Sequence, residues 1–218
     1  MSKETVGELA YRRVREDIVF GRLPPASKLK LEKLKSDYGV SISTLRESLS
    51  RLATEGLVLA EGMRGFEVTP VSANDLREIA ELRLLLECHA LSKSFARGDM
   101  EWEGRVVASH HKLSLMERQM LANDRTRPET WKGYDREFHH ELISACGSQA
   151  LLETHDSVYD RYLRYQMVAV IFRGQQAADE HQKLLEAALR RDAETAMTIL
   201  KTHIQDCLSE TFARGILS

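Results

Sequence analysis

The chain has 218 residues, of which 43% are hydrophobic and 29% charged, with a formal net charge of −2. This is the composition of an ordinary globular protein, long enough for a small domain beside a larger one. No apolar run approaches the roughly 18 to 20 residues that cross a bilayer, and the start MSKETVGELAYRRVRED is charged and helix-patterned rather than leader-like, so a cytoplasmic location without membrane contact is expected. Cys88, Cys146 and Cys207 are odd in number and far apart, which argues against a disulfide framework or a zinc ribbon. Residues 1–70 carry 12 Lys and Arg against 10 Asp and Glu, whereas the remainder carries 19 against 23, so the N-terminal part is the one suited to a polyanion.

In chain order, Val6, Leu9, Ala10, Val14 and Ile18 form a helical stripe that stops at FGRLPP, where two prolines forbid continuation. A short helix is predicted over Leu31 to Tyr38, followed by a turn at Gly39. The segment SISTLRESLSRLATEGLV then reads as a second helix, with Thr44 and Glu47 as a capping box and Leu45, Leu49 and Leu52 as the buried face. The strand-like stretches LVLAE and FEVTP flank GMRG, which completes a winged helix-turn-helix outline over residues 1–70. In such a fold the start of the second helix enters the major groove of double-stranded DNA. Ser41, Ser43, Thr44 and Arg46 occupy that start, while Arg64 and Gly65 belong to the wing.

The runs FGRLPPASKL, YGVSISTLRESLSRLATEGLV and GMRGFEV resemble the winged helix of GntR-family transcriptional regulators across the whole first domain. Ile42 stands where that family commonly has Arg, which leaves Arg46 as the recognition residue the resemblance supports best.

From residue 71 to 218 the texture changes to long segments of 3.6-residue periodicity, broken at RGD, NDRTRP, CGS, RG and RRD. The expected architecture is an all-α bundle of about six helices, making the chain mainly α overall. Within DREFHHELISACG, Asp135 and His139 are four apart and share a helix face, whereas His140 points about 100° away. Such a pair is as often a structural hydrogen bond as a metal site. His181 lies 11 residues before Asp192 and His203 lies 11 after it, so an antiparallel helical hairpin turning at Asp192 brings both imidazoles to one height. Asp135, His139, His181 and His203 then make a three-His, one-carboxylate set suited to Zn²⁺, or to Ni²⁺, Mn²⁺ or Fe²⁺, with positions left open.

The elements D-x-x-F-H, E-H and a late H resemble the FCD effector-binding domain of the FadR subfamily of GntR regulators, in wording nearest its CsiR-like branch. That resemblance implies a divalent metal in the bundle, a small carboxylate effector on or beside it, and a homodimer acting on operator DNA, as a repressor. Arg83, in an R-x-x-x-E setting with Glu87, either contacts the effector or forms a salt bridge at a packing edge; Arg164, Tyr165 and Gln166 are further candidates for the effector cavity. His155 reads as a core or cavity residue, and His110 and His111 as surface groups. A helical metalloenzyme and a purely structural metal clip are the competing readings.

Overall fold

The computed structural model describes residues 5–60, 62, 65–124, 126–169 and 172–215. It divides into two compact units, Met1–Ser72 with Leu163–Val168, and Ala73–Tyr162 with Ala169–Ser218.

The first unit is a winged helix-turn-helix: helices α1 (Val6–Val19), α2 (Leu31–Tyr38) and α3 (Ile42–Thr54) accompany strands β1 (Lys28–Leu29), β2 (Val58–Ala60) and β3 (Phe66–Val68). The sheet is antiparallel in the order β1-β3-β2, with Val58 opposite Val68 and Ala60 opposite Phe66. Leu45, Leu49 and Leu52 present one buried face of α3 towards a core that includes Val14, Ile18, Leu34 and Val68. The stripe on α1 is shorter than its sequence suggests, because Val6 and Leu9 are 67% and 40% exposed and burial begins at Ala10. Gly39 ends α2 in the left-handed region at φ 67°, where its N–H donates to the Lys35 carbonyl. The helix α3 starts one turn before the expected capping box. Ser41 is its N-cap, and Ser41 Oγ accepts from Thr44 N at 3.2 Å. Three hydroxyl residues in four positions offered equivalent caps to the sequence, and a cap of this type contributes about 1 kcal/mol wherever it sits.

The second unit holds six helices among the described residues: α4 (Ala73–Arg97), α5 (Met100–Leu121), α6 (Pro128–Ile143), α7 (Gln149–Ala169), α8 (Gln175–Leu189) and α9 (Ala193–Ala213). Every break expected from the sequence falls between two of them. Pro128 opens α6, where its missing N–H costs nothing. Asp192 caps α9, its side chain accepting from Thr195 N at 3.0 Å, so the α8–α9 pair is the antiparallel hairpin that the spacing predicts. Helix α5 packs on α6 and α8, and α4 packs on α6 and α9. This arrangement turns the buried faces of α4, α5, α6, α8 and α9 towards common ground. No helix among the described residues is long and apolar enough to cross a membrane.

Candidate metal centre and DNA interface

On α6 the positions Asp135, Phe138, His139 and Leu142 follow the i, i+3, i+4, i+7 spacing of one helix face, and all four are buried. His181 lies on the inner face of α8 beside Leu184, and His203 on that of α9 beside Leu200 and Ile204. The three imidazoles converge. One nitrogen from each of His139, His181 and His203 lies within 4.8 Å of the others, and the ring centroids are 4.8 to 5.6 Å apart. Asp135 Oδ1 is 3.4 Å from His181 Nε2. Its other oxygen, Oδ2, accepts from the Tyr159 hydroxyl at 2.8 Å and from Lys132 Nζ at 3.4 Å.

The outer nitrogens of the rings are each turned to a carboxylate. Nδ1 of His181 lies 2.6 Å from Glu117, Nδ1 of His203 lies 2.7 Å from Glu180, and Nδ1 of His139 lies 3.5 Å from Glu87. A neutral imidazole that donates from Nδ1 keeps a bare lone pair on Nε2, which is how a protein readies histidine for a metal. Consistent with this, Nε2 of His139 and Nε2 of His181 are buried with no hydrogen-bond partner among the described residues. Leaving such groups inside a core costs about 1 to 3 kcal/mol each unless something else satisfies them. Two cations compete for the same Nδ1 atoms, Arg83 at 3.2 Å from that of His139 and Arg173 at 2.9 Å from that of His203. Either guanidinium can only donate, so each favours the opposite tautomer; ligation through Nε2 would settle both rings as donors to glutamate.

The donor set fits a divalent ion of borderline softness: three neutral imidazoles with a carboxylate, each oriented by a partner of its own. Electrostatics favours the deprotonated forms of His139, His203 and Asp135, and of Glu87 beside them. Burial, followed by the nearby Arg83, lowers the pKa of His139. Burial, reinforced by the neighbouring His181 and His139, holds His203 well below the usual imidazole value against its bond to Glu180. Burial alone would raise Asp135 and Glu87. Lys132 and the imidazoles overcome it at Asp135, and Arg83 with bonds from His139 and His155 does so at Glu87, so both carboxyls lie well below their ordinary range.

These four shifts point one way. A group whose folded pKa is depressed contributes stability that is present above its unfolded pKa and lost as pH falls through the folded one. Stability of the chelator-treated protein should therefore decline below about pH 6.5, where unfolded imidazoles begin to take up protons, and decline further below the ordinary carboxylate range. Urea midpoints measured from pH 8 to pH 4 check this; a midpoint that rises on acidification would contradict the assignment.

Arg83 is fully buried inside this unit rather than at a packing edge. Its Nε donates to Glu87 at 2.7 Å, and its guanidinium lies over the rings of Tyr159 and Tyr162 at 4.3 and 4.6 Å. Arg164, Tyr165 and Gln166 are buried further along α7. They fall in the Leu163–Val168 segment that groups with the first unit, where Arg164 donates to the Pro70 carbonyl and Ser72 N donates to the Tyr165 hydroxyl, both at 3.3 Å. His110 is buried against the edge of Phe138 at 5.2 Å rather than on the surface, while His111 is exposed as expected. Sequence reasoning overlooked Glu117, although it left a signal: a carboxylate one turn after Leu113 and beside Met116 in an otherwise apolar stripe.

At the other end of the chain, Ser41, Ser43 and Thr44 cluster at the start of α3, with Ser41 Oγ 2.7 Å from Ser43 Oγ and 2.9 Å from Thr44 Oγ1. Arg46 is exposed one turn along. Gly65 precedes β3 at φ 99°, a conformation that suits glycine and allows the chain to turn between β2 and β3. Arg64 lies outside the described residues.

Comparison with known proteins bears on both regions. A profile described as bacterial regulatory proteins, gntR family, matches residues 7–68, and one described as FCD domain matches residues 78–206. A relative from Paraburkholderia xenovorans named as the uncharacterized HTH-type transcriptional regulator BphR is 40% identical over 96% of this chain and 86% of its own length. The HTH-type transcriptional repressor GlaR of Escherichia coli is 32% identical over 89% of this chain and 90% of its own. Among solved structures, Escherichia coli McbR/YncC superposes with a TM-score of 0.82 at 17% identity, covering 97% of this chain and 99% of that one. A metal-free FCD domain matches with a TM-score of 0.53 at 21% identity, over 66% of this chain and 96% of that one.

Proposed function

Because the chain belongs to the GntR family of bacterial transcriptional regulators and carries an FCD domain, a family of DNA-binding regulators rather than enzymes, we propose that it is a metabolite-responsive repressor. Its site holds a divalent metal, Zn²⁺ first and Ni²⁺, Mn²⁺ or Fe²⁺ as alternatives, through Asp135, His139, His181 and His203. The observation that carries this reading is the convergence of three imidazoles whose Nδ1 atoms each face a glutamate. When bound, such an ion supplies a Lewis-acidic position open to an oxygen of a small organic acid. The protein's own part is to keep the ligands aligned. Glu87, Glu117 and Glu180 orient the rings, Tyr159 and Lys132 occupy one oxygen of Asp135 so that the other faces inward, and Arg83 provides a planar donor beside His139 for the effector carboxylate.

The name of the GlaR relative, a repressor, supports that direction of control. A homodimer in the cytoplasm would offer two α3 helices to a pseudo-palindromic operator. Ser41, Ser43, Thr44 and Arg46 stand at the end of α3 that enters the groove, with Gly65 beside the wing strand β3. Effector and operator would be linked through differential affinity for two states, a coupling typically of about 1 to 3 kcal/mol. Gel-shift titration against DNA upstream of the protein's own and neighbouring genes tests the proposal, and absence of a specific shift would refute it. Arg46→Ala should weaken specific binding by about 5- to 150-fold, corresponding to one base contact of about 1 to 3 kcal/mol. Unchanged affinity would remove Arg46 from the recognition set.

A further inference from the structure

We propose that His140, His155 and Asp156 form a second divalent-metal site, on the α6–α7 side of the helical unit and separate from the first. One ligand atom from each of the three lies within 4.8 Å of the others. His140 Nδ1 is 3.2 Å from Asp156 Oδ1, and His155 Nδ1 is 4.0 Å from the same oxygen.

His155 is the argument. It is 0% exposed, and its Nε2 lies 2.8 Å from Glu87 Oε1, a carboxylate that Arg83 keeps ion-paired at 2.7 Å. Beside that acceptor Nε2 carries the hydrogen, so in the neutral ring Nδ1 is a bare lone pair. Nδ1 is buried and has no hydrogen-bond partner among the described residues, and 4.0 Å to Asp156 is too long for a bond even from a protonated ring. A lone pair facing a carboxylate and a second imidazole, with an anionic partner fixing its other nitrogen, is the arrangement of a metal-ligating histidine. The Asp156 and His140 side chains are 35% and 34% exposed, so an ion can enter from solvent and keep water in its remaining positions. Tetrahedral bonds of about 2.1 Å place ligand atoms about 3.4 Å apart, so the half-exposed Asp156 closes on His155 by roughly half an ångström. Two imidazoles and one carboxylate select Zn²⁺, Co²⁺, Ni²⁺ or Cu²⁺ over Mg²⁺ or Ca²⁺.

Arg136 sets the strength of this site. Its Nη2 is 3.4 Å from Asp156 Oδ1, which opposes a cation there, while its shorter contact, 2.8 Å from Nε, goes to Asp160. With three protein ligands and this neighbour, the second site binds more weakly than the first. Glu87 ties the two together, since its Oε1 serves His155 and its Oε2 lies 3.5 Å from His139 Nδ1.

Calorimetric titration of chelator-stripped full-length protein with zinc chloride tests the proposal. Wild type should take up two equivalents in separable phases. Asp156→Ala and His140→Ala should each weaken the second phase at least tenfold while preserving the first, and His181→Ala should do the reverse. Uptake by wild type of a single equivalent that Asp156→Ala and His140→Ala leave unchanged, or retention of both phases by those two variants, would overturn it. Loss of the first phase alone would count against the primary centre and leave this one standing.

Discussion

Replacing His181 or His203 by Ala should weaken the tighter zinc equivalent by more than about 100-fold, a larger effect on metal content than that of any substitution outside the four ligands. The scale follows from comparison with outer residues: removing a hydrogen-bonding partner of a ligand typically costs about 10- to 100-fold in metal affinity, and removing the ligand itself costs more. Glu117→Gln falls in that lesser range, because it keeps the shape beside His181 Nδ1, 2.6 Å away, but replaces a full negative charge with an amide. Equal zinc content in wild type, His181→Ala and His203→Ala would refute the centre. The same preparations decide what the metal is for. If chelation unfolds the helical unit and no organic acid alters operator affinity, the ion is a structural clip and the effector reading fails.

Arg83→Ala should destabilise the protein by about 3 to 5 kcal/mol, the usual cost of leaving one partner of a buried ion pair uncompensated. Arg83 and Glu87 are 1% and 2% exposed, so solvent does little to screen the loss. The substitution also removes a guanidinium packed between Tyr159 and Tyr162. Glu87 would retain only His139 and His155 as partners. Urea unfolding followed by circular dichroism measures the change. A double substitution of Arg83 and Glu87 should cost less than the sum of the two single ones, because it removes both buried charges together. Strict additivity would mean that the two side chains act independently, contrary to the 2.7 Å contact between them.

Much of this architecture was legible along the chain because its determinants are local. The α3 stripe of Leu45, Leu49 and Leu52, the prolines at Pro24 and Pro25, and the Gly39 turn act over one or two helical turns. The pairing of His181 with His203 was legible for a related reason. Eleven residues of helix rise about 16 Å on either side of the Asp192 turn, so a hairpin closed there must return the second histidine to the height of the first. Phase alone also separated His139, which is buried, from His140, which is 34% exposed.

Local rules failed wherever a side chain's meaning came from another helix. Glu117 and His181 are 64 positions apart and meet only because α5 packs against α8. His155 read as a core or cavity residue, yet only the placement of Glu87 shows which nitrogen is occupied and which is left bare. The sequence by itself determined the helices, the winged-helix outline and the faces that Asp135, His139, His181 and His203 occupy, because hydrogen-bonded turns fix those within a few residues. Tertiary structure alone decided the carboxylate behind each imidazole, since tautomer and orientation depend on contacts between segments that the chain keeps far apart.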